Sequence, residues 1–188
     1  LKVNSFNLSV RIAEVGREIP ENDGFMIKVL FVCLGNICRS PLAEALFSHK
    51  ISHKGYAKQV IADSCGTSDY HIGELPDERA MSCAVRNGIN MDHRGRQLHR
   101  TDFRDFDYLI AMDRSNLENI MLLSQKVGIP AKKLHLMREF QLSPEFLEVP
   151  DPYYGGEDGF QKVFDILDEA LDGLIVELEK NHRLNGVT

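Results

Sequence analysis

No stretch of this 188-residue chain approaches the length of apolar sequence needed to cross a bilayer. Nor does any stretch concentrate Lys or Arg: basic residues are scattered and the net charge is −6. Broad binding to nucleic acid or anionic membrane needs a concentrated basic surface, so both are excluded as expectations. An anionic substrate remains possible where its charge is met locally. Internal repeats and low-complexity tracts are missing, and Leu, Ile, Val and Phe are plentiful, which excludes disorder. The start, Leu1 to Gly24, lacks the basic-then-apolar design of a secretory signal, so the cytoplasm is the expected compartment. The four cysteines, Cys33, Cys38, Cys65 and Cys83, contain no CxxC pair, and the histidines form no metal spacing. Free thiols in a reducing compartment are expected rather than two disulfides or a zinc site. Neither GxxxxGK[ST] nor GxGxxG occurs, which argues against nucleotide use.

Length and composition suit a single domain. The run Ile27 to Cys33 is apolar and β-branched, as a buried strand requires. Residues 1–25 before it read as an extension, native or added, and Met26 as the start of a compact domain reaching residue 182, with 183–188 a tail. Pro41 is expected to open a helix, where its missing N–H costs nothing, with Leu42, Leu46 and Phe47 as its apolar face. Further strands are expected at Gln59–Asp63, Phe106–Met112 and Lys133–Met137. A helix near Asp77–Asn87 carries Ala80, Cys83 and Ala84 on one stripe, and Gly88 ends it. Ser115 and Glu118 suggest a capping box for a helix reaching about Ser124. Phe160, Val163, Phe164, Leu167, Leu171, Leu174, Ile175 and Leu178 recur in steps of one buried helical face. Alternating strands and helices predict an α/β fold, a single doubly wound domain with a four-stranded parallel sheet flanked by helices on both faces. Ligands in that architecture bind beyond the carboxyl ends of the strands.

The loop Cys33-Leu34-Gly35-Asn36-Ile37-Cys38-Arg39-Ser40 sits at such an end. A loop feeding a helix turns backbone N–H groups inward and, with the positive helix end, makes an anion cradle. Gly35 permits close backbone approach, and Asn36 tolerates positive φ. A thiol on the rim of such a cradle loses its proton readily, and Arg39 can grip two oxygens of a phosphate side by side. A Cys and an Arg at this spacing are weak evidence alone. The apolar strand before them, the Gly and Asn between, and the Ser-Pro helix start after them make the conjunction specific. The alternative is a buried strand-end thiol beside a solvated helix-start arginine.

Those residues, Val29 to Phe47 (VLFVCLGNICRSPLAEALF), together with Asp151-Pro152-Tyr153-Tyr154-Gly155, resemble the low-molecular-weight protein tyrosine phosphatases. Asp63-Ser64, Gly73, Pro76-Asp77, His93 and Tyr108 to Asn116 fall in matching places. The resemblance implies a phosphatase that hydrolyses phosphotyrosine and other aryl phosphates through a phosphocysteine on Cys33, with no cofactor and no metal. It implies Arg39 as phosphate clamp and Asp151 as general acid, then base. Ser64 and His93, with Asn36, would brace the loop, Ser40 would donate to the thiolate, and Asp113 would be a carboxylate near the site. Tyr70 and Tyr153 would wall the crevice, with Tyr154 completing the tyrosine pair. On the same resemblance, Cys38 would trap an oxidised Cys33 as a disulfide. The expected partner is a phosphotyrosine protein or a small aryl phosphate, taken by a monomer or weak dimer.

Each role has a plainer alternative: a turn at Asp151-Pro152, a packed His93, core-edge tyrosines, and structural Cys65 and Cys83. The acidic, glycine-rich stretch Asp151–Gly159 lacks the alternating ligands of a calcium loop. Rival functions on the same fold are a thiol-dependent arsenate reductase, which needs a closely spaced downstream cysteine pair that is missing here, and a non-catalytic phosphate-binding module. A phosphatase acting on phosphoserine or sugar phosphates would differ in crevice depth.

Overall fold

The structure, a computed structural model, describes residues 26–184. The expected extension 1–25 and the last residues of the expected tail lie outside them. Strand β1 (Ile27–Cys33) occupies the span its apolar run predicts, and all but one of its residues are buried. It pairs in parallel with β2 (Val60–Gly66) on one side and β3 (Tyr108–Ala111) on the other, and β4 (Lys133–Leu136) follows β3, giving the order β2-β1-β3-β4.

Successive β1 side chains enter opposite layers, as a pleated strand demands. Val29 and Phe31 join one apolar layer with the buried faces of α1 (Arg39–His53), α2 (Glu78–Arg86) and α5 (Glu157–His182). Leu30 and Val32 join the other, with Phe103 of the short α3 (Asp102–Asp105) and Ile120 of α4 (Arg114–Val127). The doubly wound architecture is therefore as expected. Its order reverses about β1, the point where a ligand crevice opens beyond the strand ends.

Several boundaries differ from expectation for local reasons. Helix α1 starts at Arg39, two residues before Pro41; Pro41 still lies in the first turn, where N–H groups have no intrahelical partner. Strand β2 runs on to Gly66, because pairing with β1 continues through Cys33 opposite Gly66. Only glycine fits there, since a Cβ would stand 2.7 Å from the Leu34 carbonyl oxygen. The cap of α4 is Asp113 rather than Ser115: its side chain accepts from the Asn116 N–H, and Gly128 closes the helix in the left-handed region. Asp77 caps α2 by accepting from the Arg79 N–H.

Candidate active site

The loop from Cys33 to Arg39 is held from outside by its own carbonyls. Those of Cys33, Leu34 and Ile37 accept from the N–H groups of Thr67, Ser68 and Asp77. Peptide planarity then turns the following N–H groups, of Leu34, Gly35 and Cys38, to the opposite side, into the concavity. Asn36 takes positive φ (57°), as its residue type allows, and is buried.

The direction of the hydrogen-bond network beneath the loop follows from one donor. The Arg96 backbone N–H gives to Asn36 Oδ1 at 2.9 Å, which fixes the amide orientation because that N–H can only donate. Asn36 Nδ2 must then donate to Ser40 Oγ and Ser64 Oγ, both at 2.9 Å. With their lone pairs engaged, the hydroxyls point onward: Ser40 to Cys33 Sγ at 3.0 Å, and Ser64 to a Glu44 carboxylate oxygen at 2.7 Å. The Asn36 N–H also reaches Cys33 Sγ, at 3.2 Å. Both bonds aim hydrogens at the sulfur and fix its position at the edge of the loop. His93 sets its Nε2 2.8 Å from Asn36 Oδ1 and its Nδ1 3.1 Å from Glu44.

Arg39, buried at the start of α1, is anchored by one corner. Its Nη1 donates to Asp113 at 2.7 Å and to the Val149 carbonyl at 3.2 Å, and its Nη2 donates to Asp151 at 2.7 Å. Burial alone would lower the guanidinium pKa, but Cys33, Asp151 and Asp113 around it outweigh that and raise it. Among the described residues its Nε is buried with no partner. Burial pushes the Cys38 thiol up to about 12, with Asp77 and Cys33 adding to it, so Cys38 is a neutral thiol near pH 7. Its preference for the neutral form contributes stability that is lost as pH rises from the ordinary thiol range towards about 12.

Cys33, Cys38, Arg39, Asp151, Tyr70, Tyr153 and Tyr154 line one cavity of about 310 Å³ beside Leu34, Gly35 and Ile37. Asp151 accepts from the Tyr153 N–H at 3.0 Å and keeps 44% of its side chain exposed. Tyr153 meets Tyr154 edge-on at 5.1 Å, and Tyr154 is 96% exposed. Ser64, His93 and Asp113 stand behind the cavity wall rather than in it. Cys65 and Cys83 are buried in the two core layers, away from the cavity.

Four participants escaped the sequence reading. Glu44 pairs with His93; it sits one helical turn beyond Ser40, so the i,i+4 rule was the available signal. Arg96 holds Asn36 by its backbone, and Arg79 lies 5.7 Å over the Tyr153 ring while donating to the Gly155 carbonyl. His71 lines the cavity, paired with Glu74. Glu44, Asp63 and His93 bring metal-capable atoms within 4.8 Å of one another. Ser64, Arg96 and Asn36 already engage those groups, and the Arg96 guanidinium on Asp63 opposes a cation.

A parallel α/β sheet that sets a sulfur, a guanidinium and inward N–H groups on its first loop has the makings of an oxyanion site with a thiol at its edge. The model of the low molecular weight phosphotyrosine protein phosphatases matches residues 28–184. A low molecular weight phosphotyrosine protein phosphatase of Schizosaccharomyces pombe is 47% identical over 135 residues, 71% of this chain and 85% of its own. A protein tyrosine phosphatase from Entamoeba histolytica superposes with a TM-score of 0.76 at 41% identity, covering 82% of this chain and 97% of its own. A Drosophila arginine phosphatase superposes at 0.78 with 30% identity, over 82% of this chain and 99% of its own. The chain belongs to the low molecular weight phosphotyrosine protein phosphatase family. Among the described residues no helix is long and apolar enough to cross a membrane.

Proposed function

We propose that this chain hydrolyses phosphotyrosine and other aryl phosphate monoesters in two displacements through Cys33. The observation that carries it is a single cavity lined by Cys33, Arg39 and Asp151, with Tyr70 and Tyr153 at its mouth. Arg39 is suited to the clamp role because Asp113 and Val149 hold Nη1, leaving Nε and Nη2 as a side-on fork for two phosphate oxygens. As substrate oxygens take that fork, Nη2 releases Asp151, whose carboxyl then faces the leaving oxygen. Cys33 Sγ attacks phosphorus; the S–P bond forms as the P–O bond breaks, and Asp151 gives its proton to the phenol oxygen. Asp151 next takes a proton from water, whose oxygen attacks phosphorus; the S–P bond breaks, phosphate leaves and the thiolate returns. Inward N–H groups and Arg39 hold the charge on the equatorial oxygens throughout.

Asn36, Ser40, Ser64 and His93 act as positioning residues, keeping hydrogens on the sulfur. The rim tyrosines favour a flat ring over phosphoserine. Cys38 lines the same cavity, which supports its trapping a Cys33 sulfenic acid: its sulfur bonds to Cys33, and water leaves. Nothing in the scheme calls for a second copy of the chain, and its buried free thiols suit a reducing compartment such as the cytoplasm. An arsenate relay fits poorly, since Cys65 and Cys83 stand off the cavity. The structural likeness to an arginine phosphatase favours phosphoarginine as a second reading.

Wild type and Cys33→Ser assayed on phosphotyrosine, phosphoserine and phosphoarginine peptides decide between these. Turnover of phosphotyrosine alone, abolished in the variant, is expected. Turnover that survives in Cys33→Ser removes the nucleophile, and a preference for phosphoarginine moves the substrate to the second reading.

A further inference from the structure

Against the expectation from sequence, two histidines do take up a metal-ligand spacing: His49 and His53 stand four positions apart on α1. That step stacks side chains on one face of a helix, and the two rings lie 4.3 Å apart, centroid to centroid, tilted by 57°. The face is the solvent side. Leu42, Leu46, Phe47 and Ile51 of α1 are buried, whereas both histidines are exposed. Every other histidine has a polar partner: His71 meets Glu74, His93 meets Asn36 and Glu44, His99 meets Thr101, His135 meets Glu139 and His182 meets Tyr108. Among the described residues His49 and His53 alone have no hydrogen bond and no ion pair, so their ring nitrogens are free to bind.

The spacing of the rings suits one shared ion. Imidazole nitrogens bind a late first-row divalent metal at about 2.0–2.1 Å, so two rings at a right angle on one ion have centroids about 4.5 Å apart, and at a tetrahedral angle about 5.2 Å. The observed 4.3 Å matches neighbouring corners of a tetragonal site, the geometry of Cu²⁺ and Ni²⁺. The surroundings do not repel a cation either. Lys50 is held by Asp168 and Asp172 at 2.8 and 2.6 Å, and Lys54 by Glu179 at 3.1 Å. On the other flank, both histidines line a cavity of about 410 Å³ with Glu44 and Asp92.

We propose that His49 and His53 form a surface site for one tetragonal divalent transition-metal ion of the Cu²⁺ and Ni²⁺ kind. Among the described residues no third His, Cys, Asp or Glu ligand atom joins the pair, so the remaining corners fall to water. Neither histidine lines the phosphate cavity, and the ion takes no part in the proposed hydrolysis. It ties together the last turn of α1, the helix whose first residues are Arg39 and Ser40. An unfolded chain does not hold the two imidazoles one helical turn apart, so the ion favours the folded state.

Ni²⁺ titrated calorimetrically into the full chain at pH 7.5 tests the site. Wild type is expected to bind one ion per chain, with affinity falling by about tenfold or more in His49→Asn and in His53→Asn. Ni²⁺ at about 100 times its Kd should raise the wild-type melting temperature by about 5–10 °C and leave that of His49→Asn/His53→Asn where it was. Without metal the variants should melt within about 2 °C of wild type, as exposed substitutions do, which shows the fold intact. Absence of binding by wild type at millimolar Ni²⁺, or unchanged affinity in either single variant, overturns the proposal. So does binding that is lost in Cys33→Ser, which assigns the ion to the thiols of the phosphate loop.

Discussion

The two walls of the cavity are built on opposite principles. On one side the phosphate loop is mostly buried and wired from beneath: Asn36 makes four side-chain hydrogen bonds, to Ser40, Ser64, His93 and the Arg96 N–H. On the other, Asp151, Tyr153 and Tyr154 are exposed, and their segment is held by the Asp151 bonds to Arg39 and the Tyr153 N–H, by the Gly155 N–H on the Pro152 carbonyl and by Arg79 on the Gly155 carbonyl. Preorganised donors in a buried setting stabilise charge without rearranging during reaction, which suits the wall proposed to hold phosphorus. The proposed acid, which must first leave Arg39, and the tyrosines proposed to meet the substrate belong on the wall with fewer ties.

Changes that blur this contrast should rank accordingly. Asp151→Asn is expected to have the largest effect, slowing phenyl phosphate hydrolysis by about a hundred- to ten-thousandfold while barely touching esters of very acidic phenols, which need no proton. Equal losses across a leaving-group series would remove the acid role. Asn36→Ala should cost on the order of 3 kcal/mol in denaturant unfolding, because it strands buried donors and acceptors at once, and should lower kcat more than it raises KM. A variant as stable and active as wild type would show that the wiring is incidental. Tyr154→Ala, at a side chain almost wholly in water, should change kcat/KM for small aryl phosphates by less than about threefold and leave the melting temperature unaltered. A larger loss would make the open wall as demanding as the buried one.

The contrast also decides what the sequence disclosed. Strand β1, its loop and α1 form one local unit, so strand, Gly, Asn and Arg could be read in order, and only the helix start moved, from Pro41 to Arg39. The long helix α5 was equally legible, because its apolar steps carry their own periodicity and the residues named from it are all buried. Contacts between distant segments were not. The polar and small residues Ser64, Cys65 and Gly66 carry no strand period, and only pairing with β1 extends β2 through them. At the start of α4, Asp113 and Ser115 are both capping residue types, and the chain direction set by β3 selects the first. Arg39 reads as a bare cation in one dimension; its anchoring by Asp113, Val149 and Asp151 joins residues more than seventy positions apart. Arg96 likewise supports Asn36 from 60 positions away, whereas Glu44, on the adjacent helix, reaches it only through the distant Ser64 and His93.

The central claim is a covalent bond between the Cys33 sulfur and phosphorus. Acid-quenching the protein during turnover of phosphotyrosine, followed by peptide mass spectrometry, tests it directly. Added phosphate mass on the peptide bearing Cys33, appearing with substrate and absent in Cys33→Ser, is the predicted result. Turnover at the same rate with no phosphopeptide at any quench time, or with the label on Cys38 or a histidine, would contradict it.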